Sequence, residues 1–276
     1  MKRKLFAVML LIPALLISFT GCGKKLLAAS ADTLMEEGYM ELSGEKDIVL
    51  SDELKAQIKD ETYKFSSPPR VLIYHTHATE AYRMEGGYTY EETEPYRTDD
   101  NTKNVVYAGE VLKEELEKLG FEVIHDTTNV EPPEFISAYS RSLEVMESYE
   151  DIDIYIDLHR NAADPEKAKN DVVMIDGKRC ARMFFVVGTG IGTYEGEYDV
   201  KPDWAKNYTL ASSVTDKLRE TSQDLADDVR VKVGRHNQHA GLCLLAEVGH
   251  NANTLDDILN TLPYFARALR DVCDFE

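Results

Sequence analysis

Arg70-Val-Leu-Ile-Tyr74-His-Thr-His77-Ala-Thr-Glu80 opens with a short apolar run, Val71 to Tyr74, that ends abruptly in polar side chains. A continuous run of that length predicts a strand buried on both faces, as in a parallel sheet covered by helices. The pattern recurs twice. Asp153-Ile-Tyr-Ile-Asp157 leads into Leu158-His159-Arg160-Asn161, and Leu242-Cys-Leu-Leu-Ala246 leads into Glu247-Val-Gly249-His-Asn-Ala-Asn253. Three expected strands therefore each run into side chains that can ligate a metal or carry a proton.

Working outward, Val105, Ala108, Val111, Leu112, Leu116 and Leu119 repeat at helical spacing until Gly120 stops them. Phe121 to Ile124 reads as a strand and Pro132 to Tyr149 as a helix with proline in its first turn. Val172-Val-Met-Ile-Asp176-Gly177-Lys-Arg and Met183-Phe-Phe-Val-Val187 read as a hairpin around an Asp-Gly turn. A helix from Trp204 to about Thr221, a strand from Val229 to Val233 and an amphipathic helix from Leu255 to Val272 complete the chain. This alternation predicts an α/β fold, a mostly parallel central sheet flanked by helices, as a single catalytic domain over residues 69–276. Sites in such folds gather beyond the carboxyl ends of the strands, where all three motifs fall.

The N-terminus indicates where the domain works. Lys2, Arg3 and Lys4 precede an apolar run from Leu5 to Ile17, then Ser18-Phe-Thr-Gly21-Cys22. That is an export signal over residues 1–22, with Cys22 placed for lipidation after cleavage; an uncleaved anchor is the alternative. Leu5 to Phe19 is short against the ~20 residues of a spanning helix. Both readings leave the rest exported, on the outer face of the bacterial cytoplasmic membrane. Residues 23–68, with weak periodicity and a closing Ser66-Ser-Pro-Pro69, read as a tether with some helix between Asp52 and Lys64.

A formal net charge of -19 opposes non-specific nucleic-acid binding, so no nucleic-acid partner is expected. Cys180 and Cys243 lie in apolar surroundings and read as buried small residues rather than ligands.

The three motifs suit zinc, which takes nitrogen and oxygen donors converging from separate parts of a fold. His75 and His77, two apart in an extended segment, share a face. Glu80, three residues on, can fold back and offer a carboxylate oxygen. His77, His159 and a third ligand, taken from Glu80, Asp100 or His75, leave a fourth position open for water. Asp100 equally suits the start of the helix near Asn104. Asp157 can hydrogen-bond a ligating histidine. Glu247 follows an apolar strand, where burial raises a carboxyl pKa, and so suits general-base work. His125, His236, His239 and His250 are expected to be surface or hydrogen-bonded histidines.

These residues carry a resemblance. Val71-Leu-Ile-Tyr-His-Thr-His-Ala-Thr-Glu-Ala-Tyr82, Asn104-Val-Val, Asp157-Leu-His-Arg160, Ala181-Arg-Met-Phe-Phe-Val-Val-Gly188, Asn237-Gln238 and Leu244-Leu-Ala-Glu-Val-Gly249 with Asn253-Thr-Leu appear in that order. Across about Arg70 to Phe275 the chain resembles the stage II sporulation protein P family of cell-wall hydrolases. It is also similar to the broader zinc N-acetylmuramoyl-L-alanine amidases. The resemblance implies cleavage of the amide between muramic acid and the stem peptide of peptidoglycan, with a second cleavage within peptide cross-links, during engulfment in sporulation. It implies partnership with a lytic transglycosylase of the stage II sporulation protein D family. On the matched positions it implies zinc ligation by His77, Glu80 and His159, acid and base duty for Glu247, and substrate binding by Arg160, Asn161, Asn237 and Gln238. The competing expectations are a metallopeptidase confined to cross-links and a catalytically idle wall-binding lipoprotein.

Overall fold

The computed structural model describes residues 40–42, 47–51, 61–87, 89–133, 137–164, 171–190, 203–232 and 241–276. Their strands, in chain order, begin with β1 (Met40–Leu42), β2 (Asp47–Val49), β3 (Tyr63–Lys64) and β4 (Arg70–Tyr74). Helix α1 (Val105–Lys118), β5 (Glu122–His125), α2 (Ala138–Glu147) and β6 (Ile154–Asn161) follow. Then come β7 (Val172–Ile175), β8 (Lys178–Ala181), β9 (Met183–Gly188), α3 (Trp204–Thr221), β10 (Arg230–Lys232) and β11 (Leu242–His250). Helix α4 (Leu255–Asp271) and β12 (Cys273–Asp274) close the chain.

Eight strands form the central sheet in the order β1-β2-β10-β9-β11-β6-β4-β5. Its mostly parallel character comes from the unbroken run β5-β4-β6-β11, together with β10 beside β9. The antiparallel pairings are β1 with β2, β2 with β10, and β9 with β11. The expected α/β architecture is present.

Burial explains why the parallel strands read as continuous apolar runs. Val71, Ile73, Ile154, Ile156, Leu158, Leu244 and Ala246 join the main core with Leu112 and Leu116 of α1, Val214 of α3, and Ile258 and Phe265 of α4. The alternating residues Leu72, Tyr74, Tyr155 and Cys243 pack against Met146 of α2. Each fully buried Leu, Ile or Phe contributes about 1.5–3 kcal/mol, so these two layers fix the strand register that aligns the site. Asn104 starts α1 by accepting from the Val106 amide at 3.0 Å. Thr254 and Asp257 cap each other at the start of α4, at 3.2 and 3.1 Å. Cys180 and Cys243 are buried thiols outside any disulfide among the described residues, as expected.

Several boundaries differ from the sequence reading. Asp176-Gly177 does turn a hairpin, but it joins β7 to β8 as a separate two-stranded sheet, and Met183 to Val187 belongs to the central sheet instead. The helix expected from Pro132 begins at Ala138, beyond both prolines. Strands β6 and β11 extend through His159 and Glu247, so both side chains lie within strands rather than after them. The folded unit also reaches into the segment read as a tether. Strands β1 and β2 extend the central sheet, and β3 pairs with β12. The expected helix lies mostly outside the described residues, as do the apolar N-terminal run, Cys22, His236, His239, Asn237 and Gln238. Among the described residues no helix is long and apolar enough to cross a membrane.

Candidate active site

The carboxyl ends of β4, β6 and β11 lie side by side because Tyr74 is the register partner of Asp157, and Leu245 of Asp157 on the other side. After β4 the chain turns at 76–79, and the Glu80 amide stands 3.4 Å from the His77 carbonyl. That turn folds Glu80 back toward His77, as their spacing predicts. Their side chains meet with His77 Nδ1 3.6 Å from Glu80 Oε1. From the next strand, His159 Nδ1 approaches Glu80 Oε2 at 3.4 Å.

Donor atoms of His77, Glu80 and His159 all lie within 4.8 Å of one another, a group that can hold a metal ion. Tetrahedral bonds of about 2.0–2.1 Å place donors about 3.4 Å apart, close to both measured His–Glu separations. Two imidazoles and a carboxylate are also a donor set suited to zinc, so the residues fit that ion. The other candidates for third ligand are used elsewhere. His75 turns away, with Nδ1 3.0 Å from the Leu158 carbonyl and Nε2 2.9 Å from His125 Nε2. Burial, with His125 alongside, lowers its pKa to about 3, so it is neutral. Asp100 is exposed and accepts from the Thr102 amide and hydroxyl at 3.0 and 2.6 Å, organising the turn before α1 rather than capping it.

Asp157 stands where a partner of a ligating histidine belongs, its Oδ1 2.8 Å from His159 Nε2. The Thr76 amide and hydroxyl donate to the same carboxylate at 2.9 and 2.6 Å, which fixes it. Burial disfavours charge on this group and on Glu80, yet their histidine contacts outweigh it and hold both carboxyl pKa values down. The two carboxylates in turn outweigh burial at His159 and raise its pKa.

Glu247 is the register partner of His159 on β11. Its Oε2 is buried and has no hydrogen-bond partner among the described residues. Burial pushes its pKa up to about 7, opposed by His159 and assisted by Glu80. Beyond it the pairing with β6 shifts at a bulge, so that His250 rather than Gly249 faces Asn161. Gly249 takes φ +63°, and a Cβ there would stand 2.4 Å from Ile258 Cδ1; this bend requires glycine.

Arg160, expected to meet substrate, is instead 5% exposed and donates to the carbonyls of Ala81 and Tyr96 at 3.0 and 2.8 Å. It ties β6 to the loop after β4. Asn161 ends β6, half-buried, its carbonyl accepting from the Asn251 amide at 3.3 Å. His125 and His250 are hydrogen-bonded, as expected of them: His125 to Glu110 and His75, and His250 as acceptor from the Ala252 amide.

Three residues at the site had no mark in the sequence. Tyr139 of α2 sets its ring 5.4 Å from that of His77 and stacks toward His159 at 6.4 Å, walling one side. Arg97 reaches Glu80 Oε1 at 3.3 Å and Glu131 Oε1 at 2.6 Å. Tyr139 lies within the helix expected over Pro132 to Tyr149, but nothing in that reading set it against the strand ends.

A model of the family described as Stage II sporulation protein P (SpoIIP) matches residues 26–270. Stage II sporulation protein P of Bacillus subtilis (strain 168) is 27% identical over 206 residues, which cover 68% of this chain and 47% of the relative. The chain therefore matches about half the length of that curated relative. Among solved structures, the CwlD amidase from Clostridioides difficile, in complex with the GerS lipoprotein, is 12% identical with a TM-score of 0.41, over 73% of this chain and 94% of CwlD. The N-acetylmuramyl-L-alanine amidase Ami1 from Mycobacterium abscessus is 13% identical with a TM-score of 0.41, over 75% and 97%.

Proposed function

The chain belongs to the Stage II sporulation protein P family, and on that premise we propose that it is a zinc-dependent peptidoglycan hydrolase of sporulation. Its bond is the amide joining N-acetylmuramic acid to L-alanine, with a second cleavage in peptide cross-links. The observation that carries this reading is the His77, Glu80 and His159 donor set beside Glu247, a buried carboxyl whose pKa lies near 7.

His77, Glu80 and His159 would hold the zinc, which would supply Lewis-acid chemistry at the attacking water and the scissile carbonyl. The protein's own groups handle the proton. Glu247 accepts it from the attacking water as the new carbon–oxygen bond forms, then delivers it to the alanine nitrogen as the carbon–nitrogen bond breaks. A pKa near the working pH suits a group that must both take and return a proton. Asp157 keeps the His159 ring oriented, and Tyr139 limits the water that reaches the two rings from one side. The reading extends to export, with attachment to the outer face of the membrane through Cys22 or an uncleaved anchor. It also extends to a lytic transglycosylase of the stage II sporulation protein D family as partner.

Digestion of purified peptidoglycan by the full chain, with mass spectrometry of the products, tests the proposal. Free stem peptides that vanish on chelation and return with zinc are expected. Cuts confined to cross-links indicate a metallopeptidase, and unaltered sacculi that retain the protein without metal indicate a wall-binding lipoprotein.

A further inference from the structure

Glu80 has neighbours that neither metal ligation nor proton transfer explains. Arg97 lies on the loop before α1, and its guanidinium spans two carboxylates, 3.3 Å from Glu80 Oε1 and 2.6 Å from Glu131 Oε1. Thr79 closes the set. Its Oγ1 accepts from Arg97 at 3.2 Å and donates to Glu131 Oε2 at 2.5 Å. Glu131 is only 5% exposed, and the cost of burying a carboxylate that deep is offset by pairing and hydrogen bonds, which both its oxygens make. The main chain stitches the same parts together, with the Thr98 amide donating to the Thr79 carbonyl at 2.9 Å.

We infer that Arg97 is a positioning residue for Glu80, anchored by Glu131 and Thr79. A carboxylate can turn about its last bond and face an ion with one oxygen, the other or both. Here Arg97 holds Oε1 while the Arg160 amide holds Oε2 at 3.0 Å, so the group stands ready between His77 and His159. Glu131 accounts for the charge. A lone guanidinium this close would repel a dication, but the Arg97–Glu131 pair sums to zero and supplies orientation without net charge. The inference rests on the metal-hydrolase reading above.

Zinc affinity of the full chain, measured by competition with a chromophoric chelator, separates the two ideas. The double variant Arg97→Met/Glu131→Gln removes the clasp at constant net charge, so its effect reports orientation alone. A loss of about 10–100-fold in zinc affinity is expected, with the melting temperature of the chelated protein held. Arg97→Lys keeps the charge but not the two-pronged geometry, and recovers part of the loss. Affinity within twofold of the unaltered chain overturns the positioning role and leaves the hydrolase reading standing; an unaltered chain that takes up no zinc overturns both. A loss that tracks a lower melting temperature, unrelieved by lysine, assigns Arg97 to loop structure and overturns the inference. Should the double variant not fold, Arg97→Lys alone keeps the charge while losing the two-pronged geometry and is expected to lower zinc affinity severalfold, an unchanged affinity again overturning the role.

Discussion

Glu247 and His159 are register partners on the parallel strands β11 and β6, so sheet geometry alone sets a buried carboxyl beside an imidazole of the group that can hold a metal ion. The Glu247 carboxyl therefore stands at the site without any loop movement. Glu247→Gln preserves volume and removes the proton acceptor. Turnover on peptidoglycan is expected to fall by at least about 10²-fold, the scale of general acid–base contributions. Zinc stoichiometry should stay at the unaltered value. Loss of the metal along with activity would make Glu247 a ligand instead of the base.

The same residue gives the fold a pH dependence. An unfolded glutamate ionises near 4.3, whereas Glu247 in the metal-free fold holds its proton up to about 7. Between those values the folded chain binds a proton at Glu247 that the unfolded chain has released, so the Glu247 contribution to stability falls as pH rises through the window and levels off above about 7. Glu247→Gln removes that contribution, and at pH 8 the chelated variant should be more stable than the parent by about 3 kcal/mol. Melting curves of the two chelated proteins at pH 5 and pH 8 measure this. Equal pH dependence in both would show that Glu247 ionises normally.

The ligand set divides two neighbouring histidines. His77→Gln removes a donor and should lower zinc affinity by orders of magnitude, whereas His75→Gln should leave zinc stoichiometry intact. His75 is spent on the Leu158 carbonyl and His125, so its replacement disturbs a buried polar contact and should destabilise the fold by about 1–3 kcal/mol. Metal content and denaturant midpoints of the two variants decide the matter, and loss of metal from His75→Gln would return that residue to the ligand set.

The contrast shows what local spacing reveals. The His77–Glu80 step of three predicted a turn, and the apolar runs before His159 and Glu247 predicted strands, so the convergence of these four side chains was legible. Arg97, Glu131 and Tyr139 were not, since each reaches the site from a loop or helix whose placement depends on long-range packing. Arg160 looked available for substrate because its strand motif ends at the site, yet strand alternation turns it to the face opposite His159. Strands β1 and β2, of three residues each, are too short for an apolar period to show, which is why their segment resembled a tether. The β7–β8 pairing was missed because Lys178 and Arg179 interrupt the apolar run, although the Asp-Gly turn beside them was read correctly.

Behind the ligand loop, α1 passes so close to His75 and His125 that only glycine fits at position 109. A Cβ there would stand 2.5 Å from His125 Nε2 and 2.8 Å from His75 Nε2. Two effects oppose each other in Gly109→Ala. Alanine is the better helix former by about 1 kcal/mol, while overpacking a filled interior costs about 1–3 kcal/mol. The rings have little room to yield, because His75 is held by the Leu158 carbonyl at 3.0 Å and His125 by Glu110 at 3.1 Å. The overpacking cost should therefore win, with a net destabilisation of about 1–2 kcal/mol in urea unfolding. Combining Gly109→Ala with His125→Ala should cost less than the two changes added separately, since the second opens space for the first. A stabilising Gly109→Ala would show that the histidine rings move aside, and that α1 does not hold the back of the loop from which His77 and Glu80 reach the site.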